Sequence, residues 1–124
     1  ICVVGCGGDR DSTKRPAMAK IAVKYSDLTI FTSDNPRTED PNMILLDMVE
    51  GLKEDSAGFR CIEDRRDAIG YAIKQAQEND IVLIAGKGHE TYQEINGIRY
   101  GFDDREVVRS VIQDLNGEQN AKNL

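Results

Sequence analysis

The sequence predicts an α/β domain: a mostly parallel sheet with helices on both faces and an antiparallel hairpin at the edge. Three observations predict it. Short apolar runs rich in β-branched residues stand at 1–4, 28–32, 59–62 and 81–85, as buried strands do. Stretches with apolar residues at helical spacing separate them, and strands that alternate with helices belong to parallel sheets. Asn96 and Gly97, between two further runs at 91–95 and 98–102, form a type I′ hairpin signal.

Taken in order, residues 1–4 are a short strand. Ile1 already lies inside an apolar run, so the chain is expected to be a piece of something longer. Gly5, Cys6, Gly7 and Gly8 follow, and glycines there let the backbone approach a partner closely. Pro16 suits a first helical turn, so a helix is expected from about Arg15 to Ser26, with Met18, Ile21, Ala22 and Tyr25 on its buried face. After the strand at 28–32 comes a loop and then a helix over 42–51. Asp40 suits its N-cap and Pro41 its first turn. Residues 53–58 read as a polar connector. Asp64 is a candidate cap for a helix over 65–77 with an apolar stripe of Ala68, Ile69, Ala72, Ile73 and Ala76. Residues 81–85 are the most apolar run, expected to be a strand buried on both faces. After the hairpin, Asp103 and Asp104 cap a final helix from Arg105 to about Leu115, and residues 117–124 are expected to fray. The order is Rossmann-like.

Composition narrows the function. The 124 residues suffice for one domain with a real core. Sixteen Lys and Arg face 22 Asp and Glu, a net charge of −6, which argues against nucleic acid and anionic membrane as partners. No apolar run approaches the roughly 20 residues of a membrane span. Three cysteines, Cys2, Cys6 and Cys61, fit reduced thiols in a cytoplasm, with Cys2 and Cys61 filling core space. Their spacing is not that of a zinc site, and His89 is the single histidine.

The chemistry-bearing residues fall in loops that follow strands, where ligands bind in open α/β sheets. Arg10, with Asp9 and Asp11, stands at the tip of the first loop, placed to fork onto a carboxylate or phosphate or to form a surface ion pair. Gly5 to Gly8 matches neither the P-loop nor the dinucleotide fingerprint, and a tight turn accounts for it better than a phosphate cradle does. Asp34, Asn35, Pro36 and Arg37 compose an ordinary turn. They also place an acid, an amide and a guanidinium on the ligand edge, a set able to hold the ammonium and carboxylate of an amino acid. Gly86, Lys87, Gly88, His89 and Glu90 add a cation, an imidazole and a carboxylate. His89 is a general base or a structural hydrogen-bonder; Glu90 receives an ammonium or pairs with a neighbour. No nucleophile dyad is present. The residues alone support a polar, amino-acid-like ligand held at three strand ends. A second reading is a freestanding phosphate- or nucleotide-binding module built on Gly5 to Gly8 and Lys87, and ATP affinity separates the two.

Four blocks carry a resemblance: Gly5 to Asp11 with Lys14, Arg15 and Pro16; Thr32 to Pro41; Ala85 to Tyr92; and Phe102 to Arg105. In this order, over nearly the whole chain, they resemble the C-terminal domain of diaminopimelate-adding members of the Mur ligase family. The resemblance implies that residues 1–124 are the amino-acid-binding domain of a three-domain ligase of peptidoglycan synthesis, serving cell wall biogenesis, cell shape and cell division. It implies ATP-dependent amide formation: a D-glutamate carboxylate of UDP-MurNAc-L-Ala-D-Glu is activated as an acyl phosphate, and an amine of meso-diaminopimelate attacks it. The family's recognition motif for that amino acid falls on Asp34, Asn35, Pro36 and Arg37, and its other contacts on Arg10, Gly86 and Glu90. ATP and Mg2+ are implied as cofactors held mainly by domains absent here, so the chain alone is expected to be inactive.

Overall fold

The computed structural model describes residues 1–52 and 58–122. The expected connector over 53–57 and the last two residues of the expected frayed tail lie outside them. The element order is β1 (Cys2–Val4), α1 (Lys14–Tyr25), β2 (Thr29–Phe31), α2 (Pro41–Val49), β3 (Phe59–Cys61), α3 (Arg65–Gln75), β4 (Leu83–Ala85), β5 (Tyr92–Ile95), β6 (Ile98–Gly101) and α4 (Asp104–Lys122).

Four strands form a parallel sheet in the order β3-β2-β1-β4. The register pairs Val4 with Phe31 and with Ala85, so the loops after β1, β2 and β4 leave the sheet at one level and one edge. The antiparallel hairpin is present as a two-stranded sheet of its own, β5 with β6, tied to the loop after β2 by a bridge between Arg37 and Ile95. Asn96 and Gly97 both have positive φ, 51° and 77°, as a type I′ turn requires.

Alternation along the central strands sends residues to two cores. Cys2, Val4 and Phe31 pack with Ala19 of α1 and Ile44, Leu45 and Met48 of α2. Val3 and Ile30 pack with Ala68, Ile69 and Ala72 of α3 and Val107 of α4. Helices thus cover both faces, as expected. The caps are as read: Asp40 accepts from the Asn42 amide, with Pro41 at N1, and Asp64 accepts from the Asp67 amide. Asp103 accepts from the Arg105 amide at the start of α4.

Four expectations need correction. The buried side of α1 is Arg15 and Ala19, with Ala22 and Val23 behind them, whereas Met18, Ile21 and Tyr25 are exposed. Arg15 sets that rotation, because its guanidinium is tethered to groups on the sheet side (below). Of the run at 81–85 only Leu83–Ala85 is strand, and it lies at the edge of the sheet, not buried on both faces: Leu83 is 58% exposed, and Ile81 before it 80%. Leu83 pairs with Cys2 and so shares the α1–α2 face, which these helices do not cover as far as the edge. Apolar run length reports composition and carries nothing about rank in the strand order. Cys61, on the opposite edge strand, is exposed rather than core-filling. Helix α4 continues past Leu115 to Lys122, since one glycine at 117 costs only about 1 kcal/mol against favourable neighbours such as Glu118, Gln119 and Ala121.

Candidate functional site

The glycines of the first loop are there to let two loops touch. A Cβ on Gly5 would collide with the carbonyl oxygen of Thr32, and one on Gly8 with that of Pro36. The Gly8 amide donates to Asn35 O at 2.8 Å. The first loop therefore lies flat on the loop after β2. This does not favour a phosphate site: the Gly8 amide is engaged, and Lys87, the cation such a reading would use, is buried and paired.

Lys87 is the centre of the site. Its side chain has no exposed surface, and its ammonium lies 2.9 Å from Asp34 Oδ1, 3.0 Å from Asn35 Oδ1 and 3.8 Å from Glu90 Oε1. One buried cation thus offsets two carboxylates that would otherwise repel each other. Asn35 is buried and bonded at both side-chain atoms: Oδ1 also accepts from the Glu94 amide at 2.9 Å, and Nδ2 donates to Glu90 Oε1 at 3.3 Å. Gln93 Nε2 donates to Asp34 O at 2.8 Å. Tyr92 Oη lies 3.4 Å from Glu90 Oε2. Asp34 Oδ2 has no hydrogen-bond partner among the described residues and lies 3.7 Å from where a Cβ on Gly86 would stand. With φ of 109°, Gly86 is also in backbone territory that favours glycine.

Arg37 occupies the other side of the loop. It holds φ of 53°, a strained left-handed conformation for a non-glycine residue. Its Nη1 donates to Gly8 O at 2.9 Å and its Nε to Glu94 Oε2 at 3.2 Å, while Nη2 has no partner among the described residues. Arg10 is exposed and unpaired among the described residues. Both arginines flank Gly7: a Cβ there would lie 2.9 Å from Arg37 Nη1 and 3.7 Å from Arg10 Cγ. Between the loops runs a groove of ≈ 450 Å³, lined by Gly5, Gly7, Arg10, Asp34 and Gly86 among others. That is room for a small polar ligand. Its lining carries both signs of charge, Arg10 and Lys14 with Asp11 and Asp34, while Arg37 stands beside Gly7 outside that lining.

The structure thus brings together Asp34, Asn35, Gly86 and Glu90 around Lys87, and Arg10 with Arg37 beside Gly7. Pro36 is buried and faces Gly8 rather than the groove. His89 is exposed, with no hydrogen bond among the described residues.

Sequence reading missed the braces. Arg15 is buried, donating to Glu39 at 2.7 Å, Asp47 at 2.9 Å and Gly7 O at 3.2 Å. This joins α1, α2 and both site loops. The Arg15 hydrogen bond, then that of the Asp9 amide, hold the Glu39 carboxyl below its usual range. Asp9 itself takes Thr38 Oγ1 at 2.6 Å. Arg65 is buried against Asp104, at 2.8 and 2.7 Å, and donates to Ser33 O and Ala85 O, which follow β2 and end β4. Only a buried charge amid a helical pattern signals such residues, and their partners lie too far along the chain to read.

A family model described as "Mur ligase, glutamate ligase domain" matches residues 1–88. The chain is 58% identical over 112 residues to the UDP-N-acetylmuramoyl-L-alanyl-D-glutamate–2,6-diaminopimelate ligase of Geobacillus thermodenitrificans, covering 90% of this chain and 23% of that one. To the enzyme of the same name from Lactiplantibacillus plantarum it is 64% identical over 111 residues, 90% of this chain and 22% of that one. A solved structure of a ligase of that name superposes with a TM-score of 0.89 at 53% identity, over 93% of this chain and 24% of that one. The chain therefore spans about a quarter of the length of the proteins it matches.

Proposed function

The chain belongs to the Mur ligase family, and from that premise we propose that residues 1–124 are the C-terminal, amino-acid-binding domain of a longer, three-domain cytoplasmic ligase. That ligase adds meso-diaminopimelate to UDP-MurNAc-L-Ala-D-Glu in peptidoglycan synthesis. The names of the relatives support the reaction. The observation that carries the assignment of the site is a set of uncommitted polar groups around the first loop: Arg10 and Asp34 Oδ2 in the lining of the groove, and Arg37 Nη2 beside Gly7.

Meso-diaminopimelate is lysine with a second carboxylate at the far end. In this reading Arg37 and Arg10 take that carboxylate through charge-assisted bonds. Glu90 and Asp34 take the far ammonium, their charges already balanced in part by Lys87. Asn35 and Pro36 shape the turn that presents them, and Gly86 leaves the carboxylate reachable. The near amine stays free. Its nitrogen attacks the acyl carbon of the activated D-glutamate, a C–N bond forms, phosphate leaves with the C–O bonding pair, and the amine loses a proton. The domain contributes by holding that amine in place, which is where proximity effects arise. ATP and Mg2+ supply the activation and are held mainly by the other domains, so the chain alone turns over nothing.

An NMR titration of the chain tests this reading against a phosphate-binding module. Millimolar meso-diaminopimelate is expected to shift the amides of Arg10, Asp34, Asn35, Arg37 and Gly86 to Glu90, and ATP to leave Gly5 to Gly8 unmoved. Shifts at the glycine loop with ATP and none with the amino acid would favour the module instead.

A further inference from the structure

We propose that Glu94, on the first strand of the hairpin, is a positioning residue that aims Arg37 and so sets the preference for an acceptor with a second carboxylate. The proposal rests on the acceptor reading above. Arg37 is clamped by the hairpin before its side chain does anything: its amide donates to Glu94 O at 3.0 Å and its carbonyl accepts from the Asn96 amide at 2.8 Å. This pairing holds the left-handed backbone at Arg37 against its intrinsic cost. The Glu94 carboxylate then takes Nε at 3.2 Å while Gly8 O takes Nη1 at 2.9 Å. Two contacts on different nitrogens fix the plane of the guanidinium and leave Nη2 for a ligand.

Glu94 has another cation within reach of its strand position. Arg99 is its cross-strand partner in the hairpin, yet the Arg99 guanidinium lies over the Tyr92 ring at 4.2 Å. Glu94 is thus left for Arg37. Arg10 and Arg37 bring two positive charges to Gly7, and Glu94 offsets one. The pair is only partly buried, with side chains 22% and 25% exposed, so it can orient Arg37 without a large desolvation penalty.

The test is steady-state kinetics of the complete ligase with meso-diaminopimelate and with L-lysine, as wild type, Glu94→Ala and Glu94→Gln. Glu94→Ala is expected to reduce the ratio of kcat/KM for the two acceptors by about tenfold, through KM for diaminopimelate rather than kcat. Glu94→Gln keeps an acceptor for the Nε–H and is expected to recover most of the ratio. An unchanged ratio in Glu94→Ala would overturn the proposal, as would an equal loss with both acceptors, the mark of a merely structural role. Wild type in the same series reports on the premise separately: no preference there sinks the acceptor reading, whereas a preference indifferent to Glu94 sinks only this inference.

Discussion

Replacing Arg37 by alanine in the complete ligase is expected to lower kcat/KM for meso-diaminopimelate by on the order of 10³-fold and to remove most of its advantage over L-lysine. A site built to bond a polar group rejects an analogue lacking that group by about 10⁴ to 10⁵, because its own donors are then left unpaired. Arg37 supplies half of the cationic end, with Nη2 uncommitted and the rest of the guanidinium fixed by Gly8 and Glu94. Arg10 remains in the variant, so part of the recognition survives. Arg37→Lys should fall close to the alanine variant. An ammonium keeps the charge but cannot bond Glu94, Gly8 and a ligand carboxylate from one rigid plane. The backbone does not confuse the comparison, since alanine and lysine bear much the same strain at φ of 53°. Undiminished preference for diaminopimelate in Arg37→Ala would mean that this turn is scaffold.

Replacing Arg65 by methionine is expected to destabilise the chain by about 3–5 kcal/mol, read as a lower urea midpoint. The Arg65 guanidinium is fully buried and bonded to Asp104 through both carboxylate oxygens, and to Ser33 O and Ala85 O. It fastens the start of α3 to that of α4 and to the chain after β2 and at the end of β4, the strands that carry two of the three site loops. Methionine fills similar volume but leaves the Asp104 carboxylate buried without a partner, and that uncompensated charge is the main cost. The double variant Arg65→Met, Asp104→Leu should therefore recover much of the loss. A single-variant loss below about 1 kcal/mol would show that water reaches the pair and that it is not a brace.

How much of this was legible in the sequence depends on the range of the physics. Asp40, Asp64 and the Asn96-Gly97 turn were readable because caps and tight turns are decided within four residues. The three site loops were readable because strand-helix alternation fixes which ends face the ligand edge. The buried face of α1 was not, because a buried arginine with partners at Glu39 and Asp47 outweighed the apolar stripe of Met18, Ile21 and Tyr25. Nor was the edge position of β4, which depends on strand order. Lys87 read as a free cation suited to phosphate, and only the fold brings Asp34 and Asn35, over fifty residues away, to take it up. Glu94 carried no signal at all until the hairpin was laid against Arg37.

The position of bound meso-diaminopimelate in a crystal structure of the complete ligase is the measurement that bears most directly on this account. Its far carboxylate should lie at about 3 Å from the Arg37 guanidinium, with Arg10 alongside and the far ammonium toward Asp34 and Glu90. A ligand seated with that carboxylate away from Arg37, or bound outside the groove between the loops after β1, β2 and β4, would contradict it.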